Sequence, residues 1–366
     1  MSLTDFKRLC VDQTLTFLWR QWSTLGVLGP SGIEDHWVLD PEALLIHSLE
    51  FARYEARLFD QIISWLITNG HWLDVARLRR FMAEFNGSGQ ANEENTARLC
   101  VFGAVIQYLS VNADERKWKN LADLASAIYS KLPQAGSVEP LFKDHSGAFH
   151  PLVSSGKDDP SFRLFHLNRP TIVNLKATAE VPINAKSNLR FMLRALLGIG
   201  AKSECVLFLL THDAGRVKEI ADETGFFGLT IQQTLQDLSR SGLVSVVPRG
   251  RRLEYRASKN RWWSFLALTG PEQLPIPRWL NWGAILGGLS SLHSTLENLT
   301  SREHSPYMAM SKLQDSLELI HRQFIVAGLD IPPVPSPGLP PDMHQEAAIR
   351  FLSDILKIQR TPAVAA

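Results

Sequence analysis

The sequence predicts a mostly α-helical protein, with a helical N-terminal domain, a central set of helices closed by a two-stranded hairpin, and C-terminal helices. Apolar residues recur every three or four positions through most of the chain, which is the spacing of amphipathic helices. One basic, glycine-containing turn is flanked by two β-prone runs, as in a hairpin. The chain has 366 residues, too many for one ordinary core, so we expect two or three domains.

Residues 1–132 are predicted to form the helical N-terminal domain. Asp40, Pro41 and Glu42 mark a helix start, because they supply a cap, a fixed first turn and a favourable charge. Apolar residues recur at helical spacing from 45 to 66 and predict one continuous helix. Further helices are predicted at 73–82, from Asn95 onwards and at 120–132, where Asn120 is the expected cap.

Residues 133–186 are predicted to be an irregular connector with short strands. Gly, Pro, Ser and Asp interrupt the helical periodicity there. The β-prone stretches are 162–167 and 171–177. Because long structureless loops are unusual in compact domains, we expect this connector to pack on its neighbours.

Residues 187–263 are predicted to form a separate central domain. Its helices are expected at 189–197, 203–211, 216–224 and 229–241, with a turn at 225–228 and β-prone runs at 243–247 and 253–257. The helix at 229–241 is expected to end at Gly242, because a glycine often follows the last residue of a helix. The basic sequence 248–252 forms the predicted tip of the hairpin.

The C-terminal part is predicted to be helical with one interruption. Residues 264–330 form a helical region for dimerisation or packing, with helices at 261–268, 278–299 and 306–327. The proline-rich sequence 331–341 cannot be helical, because proline lacks the N–H group and clashes with the preceding turn. It is predicted to be an extended tether, and it leads to a final helix within 342–358.

Helix, short helix, turn, helix and hairpin is the element order of a winged helix, and here the sequence resembles the ArsR/MarR-like transcriptional regulators. The resemblance covers residues 190–262 and lies in the segments 217–221, 230–238 and 241–244, together with the basic hairpin. The N-terminal segments 39–45 and 57–60 resemble helical parts of bacterial proteins that carry such a module. The resemblance implies a winged helix-turn-helix that binds double-stranded DNA and regulates transcription.

The resemblance also implies which residues would contact DNA. With Ile231, Leu235 and Leu238 facing the core, the helix at 229–241 would be the recognition helix. Its outward side chains would read bases, because glutamine can pair with adenine and threonine can contact the thymine methyl group. These candidates are Thr230, Gln232, Gln233 and Gln236. The basic wing at 248–253 would contact the DNA backbone through Arg249, Arg251 and Arg252, with Arg256 on the following strand.

The charge distribution favours this interpretation. The formal net charge of the chain is +1, so any positive surface for nucleic acid must be local. Residues 190–261 contain twelve basic and seven acidic residues, a net charge of +5, which leaves −4 for the rest. The recognition helix has no lysine or arginine before Arg240, so we do not expect it to read guanine directly.

Composition and motifs narrow the remaining function classes. Hydrophobic residues make up 45% and charged residues 20% of the chain, as in folded proteins. The ten tryptophans are interpreted as core or domain-interface residues. Glu34, Asp35, His36, Asp40 and Glu42 could ligate a metal, but a helix cap with solvated charges is preferred. We predict no metal, no cofactor and no enzymatic activity.

The sequence also predicts a cytoplasmic protein with no membrane association. The N-terminus lacks the basic start and apolar core of a secretory signal, and no stretch approaches the roughly 20 apolar residues of a membrane helix. Cys10, Cys100 and Cys205 form no CxxC pair, which is typical of reduced, buried thiols.

Three functions remain open at this point. The first is a DNA-binding regulator that acts as a homodimer, because such modules usually bind paired half-sites. The second is a protein-interaction module in which the winged helix binds a protein partner. The third is an enzyme, which a deep pocket lined by Trp37, His36 and Asp40 would favour.

Overall fold

The computed structural model confirms that the chain is mostly helical. Its described part contains fifteen α-helices, one parallel pair of short strands and one antiparallel pair. None of these described helices combines the length and apolar character needed to cross a lipid bilayer. The structure describes residues 3–29, 36–84, 93–131, 138–145, 147–149, 158–172, 178–250, 252–266, 277–301 and 304–358.

Six helices form the N-terminal part. They are α1 (Leu3–Thr24), α2 (Pro41–Ala52), α3 (Ala56–Asn69), α4 (Val75–Glu84), α5 (Glu93–Asn112) and α6 (Arg116–Tyr129). Their apolar faces build the main hydrophobic core, in which Trp22, Trp65 and Trp118 are fully buried. The interpretation of tryptophans as core residues is confirmed for these three, because their rings supply the large apolar areas that a helical core needs.

The apolar stretch from 45 to 66 forms two helices, so the prediction of one continuous helix is wrong. Arg53 and Tyr54 lie in the turn between α2 and α3. The buried Arg53 side chain donates to the Leu141 carbonyl at 2.8 Å, and the Tyr54 hydroxyl lies 2.9 Å from His293 Nε2. These distant partners satisfy the polar groups of the turn, and local periodicity contains no sign of them.

Two predicted helix starts are also wrong. α6 begins four residues before Asn120, which lies inside the helix and is not its cap. Before α13 (Trp282–Ser301), the Val38 N–H donates to the Arg278 carbonyl at 2.9 Å, and the Arg278 N–H donates to the His36 carbonyl at 2.8 Å. These bonds hold residue 278 alongside the N-terminal chain. The helix predicted to begin at 278 therefore begins only at Trp282.

The described residues of the connector 133–186 are mostly irregular. Its regular elements are β1 (Glu139–Pro140), α7 (Pro160–Arg163) and β2 (Leu167–Asn168). The predicted strand at 162–167 is wrong, because Asp159 caps α7 by accepting from the Ser161 N–H at 2.9 Å, and a proline follows at the first helical position. Only the first two residues of 171–177 are described, and they lie outside any strand.

Residues 187–266, called the central module below, follow the predicted order of elements. They form α8 (Leu189–Leu197), α9 (Ala201–Thr211), α10 (Val217–Thr224), α11 (Gly228–Arg240), β3 (Val244–Arg249), β4 (Arg252–Ala257) and α12 (Lys259–Leu266). The two strands pair antiparallel, and Gly215 adds an isolated bridge to Tyr255. Ile231 and Leu235 lie in a second hydrophobic core that belongs mainly to this module.

Three helices complete the described chain. They are α13, α14 (Pro306–Val326) and α15 (Pro341–Ile358). α13 packs on α1, α2 and α14, and α15 packs on α1 and α14. The proline-rich sequence 331–341 is non-helical until α15 begins, and Ile331 and Val334 pack against the main core. This stretch contains a turn at 337–339 and packs on the protein through Ile331 and Val334 rather than forming a free tether.

Candidate nucleic-acid interface

One face of α11 is open to solvent and polar. Ile231, Leu235 and Leu238 are buried in the core of the central module. The candidate base-reading residues Thr230, Gln232, Gln233 and Gln236 are all exposed. α11 packs on α9, α10 and β3 of the same module. The polar face predicted from the helical spacing is thus present and accessible in the chain.

The β3–β4 hairpin presents basic side chains beside this face. Arg249 and Arg252 form the pair of residues next to the turn, and Gly250 in the turn has a positive φ of 63°. Arg249, Arg252 and Arg256 are exposed. Arg251, the fourth candidate, lies outside the described residues. The hairpin therefore brings three of the four predicted wing arginines to the surface.

A buried carboxylate neutralises part of this positive charge. The Glu254 side chain is 6% exposed and lies 2.8 Å from Arg216, 3.6 Å from Arg249 and 3.8 Å from Arg256. The hydrogen bond from Arg216 lowers the pKa of Glu254, which keeps the carboxylate charged. In the described part of the chain, Arg252 has no such ion pair, so its charge is the one most available to an external anion.

A concave surface of about 550 Å³ joins α10, α11 and the hairpin. Its lining contains the polar residues Arg216, Lys218, Glu219, Gln232 and Arg252, together with the apolar Val217 and Leu253 and the aromatic Tyr255. Sequence reasoning did not single out Arg216 and Lys218, which lie on this surface. The signal available in the sequence was their position at the start of α10. Positive side chains and the N–H groups of a first helical turn can face a phosphate there.

Exposed apolar side chains border the polar face. Phe227 precedes α11 and is 87% exposed, Leu229 in the first turn is 68% exposed, and Leu253 on the hairpin is 51% exposed. Large apolar residues at such exposure contact thymine methyl groups in some interfaces, and they contact protein partners in others.

A buried group of six charged residues joins the central module to the N-terminal helices. This buried ion cluster consists of Arg77, Arg190 and Arg194 with Asp40, Glu42 and Glu204. Their side chains are at most 8% exposed. Arg194 is central, since it lies 2.7 Å from both a Glu42 oxygen and a Glu204 oxygen.

The arginines keep the buried carboxylates ionised. Burial would raise the pKa of Asp40, but the Arg190 and Arg77 guanidinium groups hold it well below its usual range. Burial likewise opposes ionisation of Glu204, and the same two arginines with Arg194 lower its pKa. Removing any one charge would leave its partners buried with their charge only partly compensated, which is costly.

This cluster corrects the interpretation of the acidic N-terminal residues as solvated. Asp40 does cap α2, because it accepts from the Ala43 N–H at 3.2 Å. Its carboxylate and that of Glu42 are nevertheless buried by their arginine partners. Glu34 and Asp35 lie outside the described residues.

The cluster also corrects the count of surface charge on the central module. Arg190 and Arg194 were included in the basic residues available to DNA, but their side chains are buried and paired. When these two arginines and Glu204 are left out, the net charge of residues 190–261 falls from +5 to +4. The positive charge that remains includes the residues of the hairpin.

Two arginines of α4 hold the C-terminal end of α10. Arg77 donates to the Thr224 carbonyl at 2.7 Å, and Arg80 donates to the Ala221 and Asp222 carbonyls, each at 3.1 Å. The carbonyls of a last helical turn have no partner inside the helix. α10, which supports α11, is therefore positioned by the N-terminal helices.

A cavity of about 360 Å³, called the junction cavity below, lies beside this contact. α4, the end of α10 and the start of α13 line it. A deep pocket lined by Trp37, His36 and Asp40 would favour an enzyme. Asp40 lines the junction cavity, whereas Trp37 is packed in the main core. Trp279 and Trp282 supply the aromatic lining instead.

A second buried polar cluster has the order of a catalytic relay. His293 Nδ1 lies 3.0 Å from Glu50, His293 Nε2 lies 2.9 Å from the Tyr54 hydroxyl, and that hydroxyl donates to Glu297 at 3.0 Å. Burial and the nearby Glu297 carboxylate raise the pKa of Tyr54 well above its usual range. The hydroxyl therefore stays protonated in the core, and the cluster connects α2 and the turn after it to α13.

Comparisons of the chain with family models, with curated proteins and with solved structures found no match. Across the described residues, no group of three or more His, Cys, Asp or Glu side chains is arranged to hold a metal ion. The interpretation of the interface therefore depends on its own geometry and charge.

Proposed function

We propose that the central module is a winged helix-turn-helix that binds double-stranded DNA with sequence preference and regulates transcription. α11 would be the recognition helix and the β3–β4 hairpin the wing. The observation that carries the proposal is the exposed row of Thr230, Gln232, Gln233 and Gln236 next to the arginines of the hairpin. We assign no reaction to the protein.

The chemistry of the face fits a major groove. An α-helix fits that groove, and a glutamine can make two hydrogen bonds to adenine. Arg252 and Lys218 border the helix on the concave surface, where they can neutralise phosphates. Phosphate contacts supply most of the affinity, and base contacts supply the preference.

The proposal includes a homodimer in the cytoplasm. Tyr307, Ile325 and Val326 on α14 are 71%, 52% and 71% exposed, and a two-fold contact between copies would cover such apolar side chains. A dimer would bind two half-sites with two copies of α11.

Fluorescence anisotropy with duplex fragments at several salt concentrations tests DNA binding. The double variant Arg249→Ala, Arg252→Ala removes two cations. If both arginines contact phosphates, the affinity for duplex DNA at 0.15 M salt falls about 30-fold. The slope of log affinity against log salt concentration then becomes shallower by about 2. The matched control is Arg8→Ala, Arg163→Ala, which removes two exposed cations outside the module and should bind as the parent protein does.

Sequence preference has a separate test. Gln233→Ala should change the ratio of affinities between two duplex sites by a factor of about 5 to 150, since one good base contact contributes about 1–3 kcal/mol of discrimination. Its salt slope should stay unchanged. Absence of duplex binding even at low salt would end the proposal, and equal weakening by the wing variant and its control would exclude the wing as the contact.

The second candidate function is a module that binds a protein partner. The observation that favours it is Phe227, an aromatic side chain that is 87% exposed at the start of α11. Phe227→Ser should then abolish recovery of one stoichiometric partner in a pull-down, while Arg252→Ala should leave it intact. The opposite pattern would support DNA binding.

A further inference from the structure

One wall of the junction cavity carries no side chain larger than a methyl group and lies near uncharged rings. Gly283, Ala284 and Gly287 of α13 line it. A Cβ atom at Gly287 would lie 3.7 Å from His47 Cε1, an ordinary contact. Burial lowers the pKa of His47 to about 3, so its ring is neutral. With Phe81 also on the lining, this part of the cavity suits an apolar group.

Three of the six charged residues on the cavity lining are already paired inside the protein. Arg77 and Asp40 belong to the buried ion cluster. Arg98 pairs with Glu50 at 2.8 Å. These groups have carboxylate or guanidinium partners, so they offer little unsatisfied charge to a ligand.

Among the described residues, the opposite charges of Arg80 and Glu223 on the lining hydrogen-bond only to neutral groups. Arg80 donates to backbone carbonyls of α10 through two of its five N–H groups. One Glu223 oxygen accepts from Trp279 Nε1 and from Asn281 Nδ2, both at 3.2 Å. The exposed carboxylate of Asp222 also borders the cavity. The lining thus offers one guanidinium and an excess of carboxylate.

A third polar group lacks a partner. The Oε1 atom of Gln323 is buried and makes no hydrogen bond to any described residue, and Gln323 lines the same cavity. Buried acceptors in native proteins are nearly always satisfied, by protein, water or ligand. The atom packs against α13 beside Gly288, so a donor in the cavity reaches it only after the Gln323 amide turns.

We propose that the junction cavity binds a free α-amino acid with an apolar side chain. An ammonium group supplies three donors for Glu223 and Gln323, and a carboxylate matches the planar fork of Arg80. The side chain lies between Phe81 and the wall around Gly287. A cavity of about 360 Å³ is within the usual range for small-molecule sites.

Such a ligand would contact Arg80, which holds α10 of the central module in place. Arg80 bonds both the cavity occupant and the last turn of α10, which packs on α11. Occupancy is therefore expected to change the affinity for duplex DNA, and DNA to change the affinity for the ligand by the same factor. This regulatory consequence rests on the proposed function, whereas ligand binding does not.

Titration calorimetry of the full chain without DNA tests the site. The probes are the common apolar L-amino acids, each followed by its decarboxylated amine and its deaminated acid. We expect one amino acid to bind saturably and both analogues to bind at least about tenfold more weakly, since each has lost a charge-assisted contact. No saturable binding at millimolar concentration, or equal binding of the amine, would overturn the proposal.

Variants locate the binding within the cavity. Arg80→Ala and Glu223→Gln should each weaken binding at least about tenfold, and Gly287→Leu should block it by filling the apolar part. The matched control is Arg79→Ala, which removes the adjacent exposed cation of α4 that does not line the cavity. Equal loss in Arg79→Ala, or unchanged binding in a folded Gly287→Leu, would exclude the site. Because calorimetry uses no duplex, failure of DNA binding leaves this test intact.

Discussion

Replacing Arg194 by methionine tests whether the buried ion cluster joins the central module to the N-terminal helices. Arg194 makes hydrogen bonds to Glu42 at 2.7 and 3.1 Å and to Glu204 at 2.7 and 3.3 Å. It also donates to the Trp72 carbonyl at 2.7 Å. Methionine keeps much of the apolar stem but leaves two fully buried carboxylates with one arginine fewer.

The expected cost is large compared with total stability. Removing one partner from a buried ion pair destabilises a protein by about 3–5 kcal/mol, and a folded domain has about 5–15 kcal/mol in total. Urea unfolding at pH 7, followed by tryptophan fluorescence, measures this cost. The matched control Arg163→Met breaks an exposed pair with Asp158 and should cost less than about 1 kcal/mol.

Charge balance gives this prediction a second test. In Arg194→Met with Glu42→Gln, two arginines and two carboxylates remain, so the double variant should cost about 2 kcal/mol less than the sum of the single variants. The cost of Arg194→Met should also shrink as the pH falls towards 5, because an unpaired buried carboxyl group has a raised pKa and becomes neutral. A single-variant cost below about 1 kcal/mol, or strict additivity, would refute the reasoning.

Two further predictions concern pH and the turn before α11. Glu297 has its pKa lowered from 4.5 to about 2, where the nearby cations and His293 outweigh burial. The stabilisation from its charge is therefore complete above pH 4.5 and lost as the pH falls towards 2. In Glu297→Gln, the free energy of unfolding measured with urea should depend less on pH across that window. An unchanged pH dependence would contradict this. Gly225 has a φ of 87°, and an added Cβ would lie 3.3 Å from Arg80. Gly225→Ala should lower the free energy of unfolding by about 1–2 kcal/mol. In the control Gly228→Ala the added Cβ would meet only Val217, at 3.9 Å, so thermal unfolding should show no measurable loss of stability. Equal effects of the two substitutions would exclude backbone strain as the cause.

The elements of the central module were predictable because their signals are local. Ile231, Leu235 and Leu238 recur at helical spacing, which also determines that Gln232 and Gln233 face outwards. The hairpin follows from two β-prone runs around a glycine. In each case the residues that determine the structure lie within a single short segment, 231–238 for the helix and 244–257 for the hairpin.

The features that were not predictable depend on distant pairs. Arg190 and Arg194 are four residues apart on α8, a spacing that also suits an exposed face. The Glu42 partner of Arg194 lies 152 positions away in the chain. The helix break at Arg53 depends on the Leu141 carbonyl, 88 positions away. Local propensity cannot distinguish a buried, paired arginine from a solvated one, so both the buried cluster and the junction cavity required the folded structure.

Amide hydrogen exchange with and without a saturating duplex tests the central claim most directly, because it shows which surface DNA covers. We predict slower exchange in the first turns of α10 and α11 and in the hairpin from residue 244 to 257, with little change in α3 or α6. Protection confined to helices outside the central module, or no protection under conditions where anisotropy reports full binding, would contradict the assignment of α11 and the hairpin as the DNA-binding face.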